Sequence, residues 1–201
     1  MVKEEIKTFL RSRDPILAPL IDKIALPELM VGDVYENLLS SIVSQQLSVK
    51  AASTIYNRFL DLFPDRYPDP ENVLAISKEA LRAVGLSAQK SSYIQNTALY
   101  FHQNVENLGK WQDLTDIEII DLLSRIKGVG VWTVQMILIF TLQREDVFPH
   151  LDLGVKMGMK RLYGIESESK LLQKDMEKIA ENWRPYRSYV ARYIWHWKDT
   201  D

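Results

Sequence analysis

The chain has 201 residues, of which 46% are hydrophobic and 26% charged, so it is long enough to bury a core and typical of a soluble globular protein. Its formal net charge of −2 argues against a protein that holds nucleic acid mainly by a large positive field. Because cysteine is absent, the sequence excludes disulfides, thiolate zinc sites and cysteine-ligated iron–sulfur clusters.

The N-terminal segment, residues 1–15, is charged and amphipathic. No apolar run in the chain approaches the roughly 20 residues needed to cross a bilayer. We therefore expect a cytoplasmic protein without a membrane partner. The histidines His102, His150 and His196 are too scattered to indicate a metal site.

Helical periodicity dominates from the first regular segment onwards. The apolar residues of Val34–Gln46 fall on one helical face, which predicts an amphipathic helix. A second helix is predicted at Val49–Phe63, with Ser48 as its N-cap. The proline-rich stretch Pro64–Pro70 cannot continue a helix, because proline lacks a backbone donor and restricts the preceding residue. We therefore predict a loop there.

Short helices are predicted next at Glu71–Ile76 and Lys78–Val84, followed by a longer one from Ala88 to about Val105. Gly85 interrupts the pattern before this longer helix. The sequence Thr115–Glu118 has the spacing of a capping box, which indicates the start of another helix.

That helix runs to Ile126, is broken by Lys127–Gly130 and resumes at Val131–Leu142, so residues 116–142 are predicted to form a helix-hairpin-helix. The glycines of the break, Gly128 and Gly130, permit left-handed backbone angles and let a ligand approach the amides. Amides at a helix N-terminus favour phosphate, so an acidic protein can still grip DNA through its main chain. A tight turn between helices, with no ligand, is the alternative reading of these glycines.

After Pro149 and Asp152, helices are predicted to about Tyr163, over Ser167–Trp183 and over Pro185–Trp197. No segment shows the alternation and hairpin turns of a sheet. We therefore expect an all-α fold. Because no repeat or low-complexity linker marks a boundary, residues 1–201 are expected to form a single domain.

Five segments together resemble the helix-hairpin-helix, Gly/Pro-rich loop and aspartate superfamily of DNA glycosylases, and within it the alkylation-repair branch, 3-methyladenine DNA glycosylase II. They are IVSQQLSVKAA (42–52), GLSAQK (85–90), IKGVGVWTVQM (126–136), DVFPHLDLGVKMG (146–158) and WRPYRSYVARYIW (183–195). The resemblance implies two helical lobes with a cleft between them. It also implies the catalytic core without the N-terminal β-rich domain of the best-known bacterial members.

The family places its catalytic carboxylate after the hairpin at the start of a helix, and Asp152 matches that position. An ionised carboxylate beside C1′ stabilises the positive charge that builds on the sugar as the N-glycosidic bond breaks. A simple N-cap role is compatible with the same place. Asp146 is the competing acid, but its position before Phe148 indicates that it orders the loop.

Trp132 stands where relatives that also cut the DNA backbone carry a Schiff-base lysine, so the resemblance implies a monofunctional enzyme that leaves an abasic site. It also implies a pocket for the flipped base formed by Trp132, Met136 and Trp195, because tryptophan faces attract a cationic base. A position in the core is the ordinary alternative for these tryptophans.

The resemblance further implies DNA contacts by Gln46, as a wedge in the base stack, and by the hairpin residues Gly128, Val129, Gly130 and Thr133. The carbonyls of Ile126, Lys127 and Val129 are expected to hold a structural monovalent cation, K⁺ or Na⁺, and no cofactor is expected to be required. On the last helix, Arg184 and Arg187 are further candidates for DNA contact, although surface arginines are usually just solvated.

The expected function is therefore base excision repair of alkylated purines such as 3-methyladenine and 7-methylguanine in damaged double-stranded DNA. The protein is expected to act as a monomer, at the nucleoid or, in a eukaryote, in the nucleus. Two alternatives stay open at this point. One is a glycosylase for deaminated or oxidised bases, because pocket shape decides the substrate. The other is a non-catalytic helix-hairpin-helix module that only binds DNA.

Overall fold

The structure, a computed structural model, describes residues 2–104 and 110–198, and every regular element in these ranges is helical. The predicted all-α fold is confirmed. The α-helices are α1 (Glu4–Arg13), α2 (Ala18–Lys23), α3 (Val34–Ser44), α4 (Val49–Leu60), α5 (Pro70–Ala75), α6 (Lys78–Ala83), α7 (Ala88–Gln103), α8 (Asp116–Ser124), α9 (Val131–Met136), α10 (Leu153–Tyr163), α11 (Ser169–Ala180) and α12 (Arg187–Lys198).

The chain folds into two compact helical units. The central unit comprises Gly32–Ile137 and contains α3 to α9. The terminal unit combines Met1–Val31 with Leu138–Asp201 and contains α1, α2 and α10 to α12. The expectation that both units form one domain stays a prediction. In the part of the chain that is described, no helix has the length and apolar character of a membrane span.

The central unit is built around fully buried apolar side chains that the helical periodicity brings to one side of each helix. Leu38 and Ile42 come from α3, Phe59 from α4, Ile94 from α7 and Leu123 from α8. Deep burial of such side chains contributes about 1.5–3 kcal/mol each relative to exposure. These contacts fix the helices that carry the central motifs.

Helix starts in the central unit follow the sequence signals. The Ser48 hydroxyl accepts from the Ala51 amide, as predicted for the N-cap of α4. Thr115 and Glu118 form the predicted capping box, in which each side chain bonds to the other's backbone amide. The beginning of α8, the first helix of the hairpin motif, is therefore set locally.

The core of the terminal unit includes Leu10, Met159, Trp183 and Ile194, which come from segments far apart in sequence. Buried Asp14 ties the N-terminal segment to this core. Its Oδ2 atom accepts from the Trp183 indole N–H at 2.8 Å and from the Tyr163 hydroxyl at 2.7 Å. A buried carboxylate with such donors avoids the cost of an unpaired charge.

Helix ends differ from the predictions by a few residues. Helix α3 ends at Ser44 rather than Gln46, because Gln45, with a ψ of 127°, already leaves the helical region, and Gln46 follows at a left-handed φ of 58°. Helix α9 ends at Met136, and Ile137–Thr141 forms a π-helical turn where one continuous helix was predicted. Side-chain periodicity does not distinguish these two backbone forms.

Further boundaries also differ: α4 ends at Leu60 rather than Phe63, α8 at Ser124 rather than Ile126, and α11 spans Ser169–Ala180 rather than Ser167–Trp183. The predicted loop Pro64–Pro70 contains a 3₁₀ turn at Pro64–Arg66, and its last proline is the first residue of α5. Helix α12 begins at Arg187, two residues after the predicted start. The predicted end of the long helix near Val105 lies outside the described residues, and α7 is described to Gln103.

Candidate active site

The central unit contains the predicted helix-hairpin-helix, formed by α8, the turn after it and α9. The turn is closed by a hydrogen bond from the Val129 amide to the Ile126 carbonyl at 2.9 Å. Val129 itself is buried, at 5% exposure. The Val129 amide is therefore engaged inside the turn, and a DNA contact by this residue stays a prediction.

Gly128 is required by both backbone angle and space. Its φ is 108°, which L side chains rarely adopt, and an added Cβ would lie 2.7 Å from Tyr93 Cβ. The close approach of the turn to α7 thus depends on glycine. The prediction that this position needs a glycine's freedom is confirmed.

Gly130 has a different role, because its φ of −97° is not the left-handed angle that a glycine permits. It is the N-cap of α9, and an added Cβ would meet nothing within 4 Å. With no side chain at this cap, no side-chain hydrogen bond is made to the first-turn amides. The start of α9 thus has the chemistry of an anion site, on the open side of the turn.

Thr133, predicted to contact DNA, has its side chain buried at 5% exposure. This burial directs the side chain into the protein, so any contact with a phosphate would be made by the main-chain amide in the first turn of α9. The contact itself stays a prediction.

Trp132 is the second residue of α9 and is 43% exposed. Met136 lies four residues later, which places both predicted pocket residues on one face of the helix, and it is half-buried. Trp132 lines a groove with residues of α3 and the segment that follows it: Asn37, Ser40, Ser41, Ser44, Gln45 and Gln46. An exposed indole in a groove with polar walls is unlike a core tryptophan and suits stacking on a planar ring.

Gln46, the predicted wedge, borders the same groove and is exposed. Its φ of 58° is a left-handed angle that costs a non-glycine residue about 1–2 kcal/mol. Strain of this kind persists only where neighbouring contacts hold the backbone in place, and it is concentrated at functional sites. This geometry presents the Gln46 side chain beyond the end of α3.

The backbone that precedes Gln46 is held by hydrogen bonds of Lys90 and Gln45. The Lys90 ammonium donates to the carbonyls of Val43 and Gln45, each at 2.7 Å, and so caps the end of α3. Partial burial lowers the pKa of Lys90 from its ordinary value. The Gln45 amide group in turn donates to the Gly128 carbonyl at 3.4 Å. The segments 42–52, 85–90 and 126–136 are therefore joined by hydrogen bonds within the central unit.

In the terminal unit, Asp152 is the N-cap of α10 and is only 9% exposed. Its Oδ1 atom accepts from the Val155 amide at 2.8 Å and from the Trp195 indole N–H at 2.8 Å. Both donors, together with the positive end of the helix dipole, stabilise a negative charge on this carboxylate. The N-cap reading is confirmed, and it coexists with an environment suited to an anionic catalyst.

Trp195 is brought next to Asp152 by α12. Besides its N–H bond to the carboxylate, its ring stacks on Phe140 with centroids 5.5 Å apart and an interplanar angle of 30°. Phe140 is 39% exposed. The proposed role of Trp195 in a base pocket stays a prediction, but its position beside the catalytic candidate fits that role.

Gly154 was not singled out in the sequence, although it is part of the quoted segment 146–158. A Cβ at this position would lie 3.0 Å from Trp195 Cδ1, 3.1 Å from Asp152 Oδ1 and 3.2 Å from Trp195 Nε1. Such distances are shorter than the 3.5–4.0 Å optimum for carbon contacts. Gly154 thus makes room for the bond between Trp195 and Asp152.

Asp146, the competing acid, is occupied by two arginines. It accepts from Arg184 Nη1 at 2.6 Å and from Arg187 Nε at 2.6 Å. Arg187 also donates to the Asp146 carbonyl at 2.7 Å. Asp146 therefore orders the loop, as expected, and both arginines are engaged there.

The hairpin carbonyls proposed for a monovalent cation have spare capacity. Ile126 O accepts from Val129, and Lys127 O accepts from the Asn96 side chain at a long 3.4 Å. Since a carbonyl oxygen has two lone pairs, a cation can still be bound. In the described ranges, no group of three or more His, Cys, Asp or Glu side chains is arranged to hold a metal ion.

Comparison with known proteins agrees with these motifs. Residues 39–185 match the family model of the HhH-GPD superfamily base excision DNA repair proteins. DNA-3-methyladenine glycosylase 1 of Schizosaccharomyces pombe is 34% identical over 163 residues, which cover 80% of this chain and 71% of the relative. Four curated relatives are matched over 66% to 77% of their own length.

Two solved structures are similar over nearly the whole chain. The S. pombe 3-methyladenine DNA glycosylase in complex with abasic DNA has a TM-score of 0.82 at 30% identity, covering 95% of each chain. The DNA-3-methyladenine glycosidase of Bacillus halodurans has a TM-score of 0.85 at 32% identity, covering 99% of this chain and 91% of the other. The chain belongs to the HhH-GPD superfamily of base excision DNA repair proteins.

Proposed function

We propose that this chain is a monofunctional DNA glycosylase that hydrolyses the N-glycosidic bond of alkylated purines in damaged duplex DNA and leaves an abasic site. The observation that carries the proposal is Asp152, a nearly buried carboxylate at the start of α10 that accepts two N–H bonds. The names of the relatives in S. pombe and B. halodurans support the alkylated-base class.

In the proposed reaction, the bond between C1′ and the base nitrogen breaks, and its electron pair leaves with the base. Asp152 stabilises the cationic sugar electrostatically and accepts a proton from the water whose oxygen bonds to C1′. A base alkylated at N3 or N7 is already cationic and departs as a neutral molecule, so little acid catalysis is needed. The reaction requires no cofactor.

In this proposal, residues of the central unit bind the DNA and the flipped base. In the central unit, the hairpin amides hold a phosphate, Gln46 fills the gap in the base stack, and Trp132 with Met136 contacts the flipped base. A monovalent cation at the carbonyls of Ile126, Lys127 and Val129 would add positive charge beside that phosphate. Since Trp132 offers no amine, water is the nucleophile and strand cleavage is not expected.

A base-release assay with Asp152→Asn tests the proposal. The variant should retain its affinity for duplex DNA but release 3-methyladenine at least about 100-fold more slowly. Asp113→Asn, which changes an exposed carboxylate in the same way, is the matched control and should keep the full rate. Full activity of Asp152→Asn would refute the assignment of the catalytic residue.

A panel of duplexes tests the substrate class. Wild-type protein should release bases fastest from methylated DNA, and strands should break only after alkali. Faster release from hypoxanthine, uracil or 8-oxoguanine duplexes would show that the lesion class is wrong. DNA binding without release from any duplex would identify a non-catalytic module.

A further inference from the structure

The terminal unit contains a cavity that Asp152 does not line. Its walls are formed by one face of α12, residues 27–29, residues 143–145 and the first residues of the chain. Its volume is about 230 Å³. This is smaller than the roughly 300–1,000 Å³ of pockets for drug-sized ligands, so only a small molecule or group would fill it.

Arg192 is the unusual residue in this wall. It is only 7% exposed, and its one hydrogen bond runs from Nη2 to the Pro27 carbonyl. Among the described residues, no carboxylate pairs with it. A guanidinium has five N–H donors, and burying its charge without a negative partner is costly. Burial lowers the pKa of Arg192, which reflects this cost.

The residues near Arg192 on α12 show why no negative group of the protein pairs with its guanidinium. The Tyr189 hydroxyl donates to Glu145 Oε1 at 2.8 Å, so that carboxylate is already engaged. Burial and this contact raise the pKa of Tyr189 to about 12. A phenol is neutral near pH 7, so Tyr189 supplies no negative charge. The Ser188 hydroxyl donates to the Arg144 carbonyl at 2.6 Å and fixes the adjacent loop.

The charges that line the cavity leave a positive excess. Lys3, Arg144 and Arg192 are basic, whereas Glu28 and Glu145 are acidic. Gln143 adds an amide and is held at a left-handed φ of 54° while its side chain donates to the Leu29 carbonyl at 3.2 Å. A polar cavity with one net positive charge and a buried guanidinium selects for an anion.

We propose that this cavity binds a small oxyanion of the phosphate class, with Arg192 as its principal ligand. The planar fork of a guanidinium matches two oxygens of a phosphate and is stronger than a neutral hydrogen bond. The anion supplies the charge that the protein does not provide for Arg192. This site is independent of the proposed glycosylase reaction, and its phosphate can come from solution or from a DNA backbone.

Thermal unfolding in phosphate tests the proposal, with ionic strength held constant by chloride. A ligand that binds only the folded state stabilises it by RT ln(1 + L/Kd), where L is the free ligand concentration, so Tm rises with that concentration. Wild type and Arg82→Met, which removes an exposed arginine of α6, should be stabilised equally by inorganic phosphate. Arg192→Met should lose the effect, and Arg192→Lys should bind phosphate at least about tenfold more weakly, which corresponds to roughly 1.4 kcal/mol.

Equal stabilisation of all variants, or none in wild type, would overturn the proposal. If Arg192→Met does not fold, ³¹P line broadening of phosphate by wild-type protein and by Arg192→Lys decides the question. The site is supported if wild-type protein broadens the phosphate line, sulfate reverses this broadening and Arg192→Lys weakens it. If wild-type protein causes no broadening, the proposal is refuted. An undamaged duplex that displaces phosphate identifies a DNA phosphate as the source, whereas no displacement identifies a free anion.

Discussion

Replacing Gly154 by alanine tests how the catalytic carboxylate is held. In an ordinary helix this change is favourable by about 1 kcal/mol, because alanine has the higher helix propensity. Here the new methyl group would lie 3.0 Å from Trp195 Cδ1 and 3.1 Å from Asp152 Oδ1. Trp195 would have to move by about 0.5 Å to restore a normal carbon contact.

Such a shift acts on the bond that orients Asp152. The distance of 2.8 Å between Trp195 Nε1 and Asp152 Oδ1 would lengthen beyond 3 Å, and a hydrogen bond to a charged group contributes about 1.5–3 kcal/mol. With the gain in helix propensity subtracted, we expect the free energy of unfolding to fall by about 1 kcal/mol. We expect base release to slow by about 10-fold to 100-fold, since each 1.36 kcal/mol in the barrier changes a rate tenfold.

The assay is single-turnover base release from a methylated duplex at saturating protein, combined with urea unfolding. Gly164→Ala is the matched control, because Gly164 ends the same helix at a φ of 62° with open space around it. It should lose about 1 kcal/mol of stability through backbone strain and keep the full rate. This control separates a loss of stability from a loss of alignment.

Trp195→Phe completes the comparison, because it removes the indole donor. The rate of the double variant with Gly154→Ala should be close to that of the slower single variant, since both changes disrupt the same bond. A Gly154→Ala protein that is more stable by about 1 kcal/mol and releases bases at the wild-type rate would refute the reasoning.

Three further predictions concern the central unit. Gly128→Ala should lower the free energy of unfolding by more than about 2 kcal/mol, because the backbone angle and Tyr93 both oppose a Cβ; an unchanged urea midpoint would contradict this. Gln46→Gly should raise stability by up to about 1 kcal/mol while slowing base release from duplex DNA, and a rate equal to wild type would remove Gln46 from the proposed machinery. Burial raises the pKa of Tyr56 to about 12, so as the pH rises the unfolded state loses its phenol proton before the folded state does. The free energy of unfolding should therefore fall between pH 10 and about 12. The urea midpoint of Tyr56→Phe should decline less than that of wild type over this range.

Local signals in the sequence were sufficient for most of the fold. Apolar periodicity predicted α3, α4 and α10, and the Thr115 capping box predicted the start of α8 within one residue. These features depend on neighbours three or four residues away, which the sequence shows directly. The ends of α3 at Ser44 and of α9 at Met136 were missed, because each depends on how the chain continues in three dimensions.

The site shows the same contrast between local and distant contacts. Asp152 was found through the resemblance to the glycosylase family, whose motif places a carboxylate at the start of a helix after the hairpin, and Asp152 does lie at a helix start. Lys90 and Gly154 were missed, although both lie inside quoted segments. Lys90 acts on residues more than forty positions away, and Gly154 matters only through the ring of Trp195. Pairings of this kind leave no spacing pattern in a single sequence.

The two units support their functional residues by different chemistry, which has a consequence for specificity. In the central unit, Lys90, Gln45 and Asn96 bond to main-chain carbonyls, so the backbone of the hairpin and of the α3 end is fixed whatever side chains face outward. In the terminal unit, Asp152 is held by the Val155 amide and, unlike the central motifs, by an aromatic side chain, that of Trp195.

Changes at the exposed residues Trp132 and Gln46 should therefore alter which base is accepted or how the gap in the base stack is filled, without disturbing the fold. Changes at Trp195 should instead affect release of every base, because they act on the carboxylate itself. Lesion preference and catalytic rate are thus expected to respond to different positions: substitutions at Trp132 should reorder the rates in a duplex panel, whereas Trp195→Phe should lower all of them by a similar factor.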